Sequence, residues 1–239
     1  MKIIVASDSF KGCMSSKEVE ESIKKGILKA NDAHEVLTFP MAGGEGTAMV
    51  FCDIIKGKMI DVLTTDAYGK NVFTKYCISQ DGNLAVMDVA SCIGLNMTPK
   101  EKRNPMIASS KGVGIMMKDA LSRGCKKIII GLGGSATNDG GMGVLSEFGV
   151  RFYNSKRELL VPSVYALSQI AFVDKRYARL PKDVEIICAC DVKNHLLGKN
   201  GATYVFGKQK GIYLNQMSEV EKGMAHYCMK LKQTFHVNV

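Results

Sequence analysis

The segment Lys126–Gly143, KKIIIGLGGSATNDGGMG, limits what this chain can become more than any other stretch. The β-branched run Ile128–Ile130 leads straight into a stretch that holds six of the chain's 24 glycines. A short apolar run of this kind reads as a buried strand of a parallel sheet, and Val144–Phe148 beyond the loop reads as a short helix. Glycines at this density let the backbone approach a ligand and adopt positive φ, at an entropic cost that a plain connector avoids. Their amides can form an anion-binding nest, and Ser135, Thr137, Asn138 and Asp139 can orient a phosphate or a metal ion. The other reading is a tight strand-to-helix turn, which needs far fewer glycines.

The start of the chain alternates strand and helix. Lys2–Ala6 is a short apolar strand, and the polar loop Asp8–Gly12 leads into a helix opened by Ser15-Ser16-Lys17-Glu18, a capping-box pattern. Val19, Ile23, Ile27 and Ala30 recur at helical spacing and predict one buried face. His34–Phe39 is a second strand, so the first two strands are expected to be parallel with a right-handed crossover. A second glycine-rich loop, Met41–Thr47, precedes a helix over Ala48–Ile55. From about Lys58 the texture changes. Met59–Thr64, Val72–Ser79 and Leu84–Val89 are strand-like runs without helices between them, which predicts a mixed or antiparallel second domain from about residue 60. Met106–Leu121 is predicted as a helix, residues 151–183 carry no clear pattern, and Val184–Ala189 is a strand. Gly201–Gly211 reads as a Gly- and Lys-containing loop, and Gln216–Lys232 as an amphipathic helix.

Composition removes several function classes. A chain of 239 residues with 46% hydrophobic and 23% charged residues buries a globular core. No apolar run reaches the roughly 18 residues of a membrane span, and Met1–Ala6 is too short for a signal-peptide core, so a cytoplasmic setting is expected. The eight cysteines lie singly or as Cys188-Ala-Cys190, without a CxxC pair and beside only four histidines. That argues against zinc and fits free, mostly buried thiols. The net charge of +9 is spread along the chain and tryptophan is absent, which suits attraction for anionic substrates rather than nucleic acid.

Four polar loops each follow a predicted strand: Asp8–Gly12, Ala42–Thr47, Gly131–Gly141 and Asp191–Gly198. Open α/β sheets bind ligands at the carboxyl ends of their strands, so such loops are expected to converge. Asp8, Ser9 and Lys11 offer a carboxylate, a hydroxyl and an ammonium near a helix N-terminus, suited to phosphate or equally to a solvated turn. Gly43, Gly44 and Glu45 can wrap a phosphate or an organic acid, or Glu45 can cap the helix that follows. Asp191 reads as a general base, a metal ligand or a turn former, and Lys208, Lys210 and Arg103 as donors to an anion. Gly131-x-Gly133-x-x-Ala136 formally matches a relaxed dinucleotide fingerprint, which keeps a nucleotide-dependent oxidoreductase as a rival. The residues themselves support an α/β enzyme acting on a small anionic or phosphorylated ligand, with phosphoryl transfer ahead of hydride transfer.

Taken in order, Asp8-Ser-Phe-Lys-Gly12, Gly43-Gly-Glu-Gly-Thr47, Gly133–Gly141, Cys190-Asp-Val192 with Asn194, and Val205-Phe-Gly207 with Gln209-Lys-Gly211 resemble the bacterial glycerate kinase family over nearly the whole chain. The resemblance implies ATP-dependent phosphorylation of D-glycerate with Mg²⁺ by a two-domain α/β protein. Its Rossmann-like domain would be incomplete here, with residues 1–60 as its N-terminal part. A larger mixed α/β domain would be inserted over residues 61–239, its end free to return toward the first. It also implies Asp191, Lys11 and Asp8 as catalytic residues and Asp139 and Asp191 as metal ligands. Substrate or phosphate contacts would come from Ser9, Gly43, Gly44, Glu45, Gly133, Gly134, Ser135, Thr137, Asn138, Asp139, Asn194 and Lys210. The family pattern usually has Asp where Ala42 stands, Pro where His195 stands and Pro where Lys208 stands. Family members also continue past the equivalent of Val239, so a C-terminally truncated or split member is expected. Such a chain is either an impaired kinase, an inactive remnant or a partner for the missing fragment, and open edges of its first sheet favour self-association.

Overall fold

The computed structural model describes residues 1–8, 10, 13–39, 46–179 and 181–237. The chain opens with β1 (Lys2–Val5), α1 (Ser16–Ala30) and β2 (Glu35–Thr38), and β1 pairs with β2 in parallel. Ser15 caps α1 from an extended backbone. Its Oγ accepts the Glu18 amide at 3.3 Å, and its own amide donates to the Glu18 carboxylate at 2.7 Å. The uniform buried face expected for α1 does not form. Val19 is buried, but Ile23 is 41% exposed, because two short strands give the helix too little sheet to lie on. Glu20 is buried instead and accepts the Ser7 amide.

Next come α2 (Thr47–Ile54), β3 (Lys58–Thr65), β4 (Asn71–Ile78), β5 (Leu84–Asp88), the short α3 (Ala90–Ile93), α4 (Lys111–Ser122) and β6 (Lys127–Gly131). The expected helix from Met106 starts only at Lys111. Pro105 opens a turn in which Ala108 donates to the Pro105 carbonyl, and Ser109 donates across to Ala67. The chain continues through α5 (Met142–Glu147), β7 (Arg151–Tyr153), α6 (Val164–Leu167), β8 (Phe172–Asp174) and β9 (Glu185–Ala189). It ends in α7 (Ala202–Lys210) and α8 (Met217–Phe235). Residues 201–211, expected as a loop, are thus a helix between two glycines. Gly201 is extended at its start, and Gly211 at φ +105° lies in the left-handed region that ends helices.

The main sheet has the order β3-β4-β5-β6-β9, antiparallel from β3 to β5 and parallel from β5 to β9. Its alternating side chains feed two cores. Tyr76, Ala85, Met87, Ile128 and Ile130 pack on Val113, Met116 and Ala120 of α4. Cys77 and Val86 on the opposite face pack on Ala48 and Cys52 of α2. The segment that lacked a sequence pattern forms a third core, in which Phe152, Leu167 and Ile170 close on Met224 and Tyr227 of α8. The Phe152 and Tyr227 rings meet at 5.9 Å and 58°. Among the described residues, no helix is long and apolar enough to cross a membrane.

Candidate active site

Parallel pairing brings the carboxyl ends of β5, β6 and β9 into line. Asp88 stands opposite Gly131, and Gly131 opposite Ala189. The alignment continues past the strands, with the Val89 amide on the Gly131 carbonyl and the Leu132 amide on the Ala189 carbonyl, both at 3.0 Å. Asp88, the long loop after β6 and exposed Asp191 after β9 therefore share one edge, the usual ligand-binding end of a parallel sheet.

The loop between β6 and α5 has two sides. Leu132–Ser135 keep contact with solvent, whereas Thr137, Asn138 and Asp139 are 7%, 6% and 1% exposed. Asp139 is the hub of the inward side. Its Oδ2 accepts the Ser110 amide and hydroxyl at 2.8 Å each and the Gly143 amide at 3.1 Å, and its Oδ1 accepts the Gly141 amide at 3.3 Å. A carboxylate so surrounded by donors ties the loop to the starts of α4 and α5. Gly140 needs to be glycine at this point, since it sits at φ +58° and a Cβ would lie 2.9 Å from the Tyr227 ring. On the outward side, the Leu95 amide donates to the Gly134 carbonyl and the Ala136 amide to the Ile93 carbonyl, each at 2.8 Å.

Helix α7 closes over the loop. Half-buried Lys210 donates to the Thr137 carbonyl at 2.6 Å and to the Ser135 hydroxyl at 3.1 Å, and Asn138 donates to the buried Thr203 hydroxyl at 3.4 Å. Burial pushes the Lys210 ammonium down to about 8, against an opposing pull from Asp139. Lys210, Ser135, Thr137 and Asn138, far apart in sequence, are thus joined. Arg103 is committed elsewhere, donating to the carbonyls of Leu95, Thr98 and Gln209. Asn194 is exposed and donates to the Asn200 carbonyl within its own loop. Asp8 belongs to the β1–β2 unit, which an exposed ion pair between Lys17 and Asp53 of α2 links to the rest at 3.3 Å. Ser9, Lys11, Gly43, Gly44 and Glu45 lie outside the described residues.

Asp88 was not among the residues singled out from the sequence, where it is the polar end of the apolar run Leu84–Met87. Its Oδ2 accepts the amides of Gly46 at 3.2 Å and Ala48 at 3.1 Å, and its buried Oδ1 has no partner among the described residues. Burial pushes its carboxyl up to about 6, and these bonds, with those from Thr47, oppose the rise.

For a metal ion, no three of His, Cys, Asp and Glu gather into a cluster among the described residues. Magnesium asks for less than such a cluster, since it keeps several waters and takes one or two carboxylates together with substrate phosphates. Asp191 is an exposed carboxylate at the end of β9, while the Asp139 oxygens are already engaged.

The family model described as the glycerate kinase family matches residues 3–239. A glycerate kinase of Bacillus cereus is 40% identical over 242 residues, covering 100% of this chain and 63% of that protein. A glycerate 2-kinase of Escherichia coli is 36% identical over 242 residues, with the same shares of 100% and 63%. A crystal structure of a candidate glycerate kinase 2 from Salmonella typhimurium LT2 has a TM-score of 0.86 at 34% identity, covering 100% of this chain and 64% of that one. The chain spans about 63% of the length of these curated relatives.

Proposed function

The chain belongs to the glycerate kinase family, and from that membership we propose that it serves the ATP-dependent phosphorylation of D-glycerate, a phosphoryl transfer to an alcohol group. The observation that supports this reading is that the Gly133–Ser135 turn, with Lys210 bonded to Ser135, follows β6 and Asp191 follows β9, two neighbouring parallel strands whose carboxyl ends are in register. Such a transfer needs aligned reactants, neutralised phosphate charge and an acceptor for the hydroxyl proton. Asp191 takes the proton of the attacking glycerate hydroxyl or serves as the carboxylate for magnesium, with Asp8 as the other catalytic carboxylate. Magnesium, when bound, supplies positive charge to the nucleotide phosphates. Lys210, Ser135 and the backbone of Gly133 and Gly134 receive phosphate or the glycerate carboxylate. Thr137, Asn138 and Asp139 contribute by holding that turn in shape.

Lys11, Ser9, Gly43, Gly44, Glu45 and Asn194 are assigned to the same ligands on the motif resemblance. The proposal also includes a cytoplasmic setting, no nucleic-acid partner, and self-association through the two-stranded β1–β2 sheet. The oxidoreductase rival loses its support, because the helix that follows β6 starts only at Met142 rather than at Gly133 or Gly134, where the fingerprint would open it.

The test is turnover of D-glycerate with ATP and Mg²⁺ by the chain alone. A second arm adds the part of the Bacillus cereus relative that this chain does not span. Asp191→Asn is expected to lower kcat by about 100-fold or more where the carboxylate acts as base. Full turnover by that variant removes the base role, and no turnover in either arm leaves only the shared fold.

A further inference from the structure

The geometry points to Asp88 as a positioning residue that fixes the end of the Met41–Thr47 glycine-rich stretch to the ligand-binding edge of the main sheet. The carboxylate comes from the last residue of β5, a central strand whose backbone is paired on both sides. It is 5% exposed, and Oδ2 receives the amides of Gly46 and Ala48, residues separated from it by 42 and 40 positions. These amides belong to the first turn of α2, where backbone N–H groups have no partner within the helix and a negative charge is favoured. No side chain of α2 itself caps that end, and Gly46 is in the left-handed region at φ +89°. Asp88 therefore supplies from the sheet the cap that the helix lacks.

The consequence is a fixed point. Asp88 is in register with Gly131, where the long loop begins, so the place at which the glycine-rich stretch enters α2 is set relative to that loop. A loosened Asp88 would let the entry to α2 shift while leaving the strands and the α4-side core in place. This inference rests on the reading of the edge as a D-glycerate and phosphate site, and the experiment separates the two.

Amide hydrogen exchange is measured for wild type, Asp88→Ala and Asp88→Asn, together with the affinity of each for D-glycerate. In Asp88→Ala, exchange at Gly46 and Ala48 is expected to speed up about tenfold or more, with amides of β4 changing less than about twofold. D-glycerate affinity is expected to weaken about tenfold in the same variant. Asp88→Asn keeps one oxygen for both amides and is expected to recover most of both losses. If turnover is present, the change falls on KM rather than on kcat, as expected for a displaced binding element. Unchanged exchange at Gly46 and Ala48 in Asp88→Ala overturns the inference, and so does faster exchange there with D-glycerate affinity intact. If Asp88→Ala does not fold, the exchange of Asp88→Asn decides, because wild-type protection at Gly46 with one oxygen remaining supports the anchor and its loss opposes it. A wild type that does not bind D-glycerate sinks the functional reading instead, and the exchange result alone then judges Asp88.

Discussion

Asp139 has both carboxylate oxygens occupied by donors from Ser110, Gly141 and Gly143, so its charge works inside the protein. Asp139→Asn keeps the volume but turns an amide group toward at least one of those donors. Unfolding in urea is expected to show a loss of about 2–4 kcal/mol, in line with a broken network of buried charge-assisted bonds. A variant as stable as wild type would free Asp139 for a ligand role. Asp88 makes a separate prediction through pH. Its carboxyl is held at about 6 against an ordinary 3.8, so between those values the folded chain keeps a proton that the unfolded chain has released. Stability from this group is therefore greatest in acid and is lost as pH rises through 6, by up to ~3 kcal/mol. The Tm of wild type minus that of Asp88→Asn should fall between pH 4 and pH 7. A constant difference would show that Asp88 titrates normally.

At the level of elements, the strands of the β1–β2 pair and of the main sheet were readable because β-branched runs and turn residues alternate clearly. The three-residue β7 and β8 were not, and the Ser15–Glu18 cap marked α1 without ambiguity. Helix α7 was not readable. Its sequence ATYVFGKQK has little amphipathic pattern, and Gly207 suggests a loop until Ile212 and Met217 are seen to occupy the space beside it. The site followed the same rule. Lys210 and Ser135 were recognisable as polar residues in glycine-rich surroundings, but their contact depends on α7 folding back over the loop. Asp88 escaped notice because a single acidic residue at a strand end has no local pattern, and its partners lie some 40 positions earlier. The end of α7 gives the element-scale test. Gly211 sits at φ +105°, and a Cβ would lie 2.8 Å from the Arg103 carbonyl, so Gly211→Ala is expected to cost about 1–3 kcal/mol in thermal or chemical unfolding. A neutral effect would mean that α7 can end in another conformation.

Across the whole molecule, cover is uneven. The main sheet is packed on both faces by α2 and α4, whereas the β1–β2 pair has α1 on one side and leaves Ile4 64% exposed. Parallel strands are normally covered on both faces, and their open edges pair readily. Light scattering is expected to give a mass above the 26.0 kDa protomer, and Ile4→Lys to move it back toward that value; a wild type of protomer mass refutes the association. The division near residue 60 remains a proposal at this scale; α2, on its N-terminal side, packs on Cys77 of β4 and Val86 of β5. The two-sided loop after β6 has one more implication. Its most recognisable letters, Thr137-Asn-Asp139, are buried and hold the turn together, whereas Asp191, the proposed base, stands on a different strand end. Selection for a folded protein would preserve that string even in a descendant that had abandoned catalysis, so the string diagnoses ancestry and leaves activity to be read from the exposed edge.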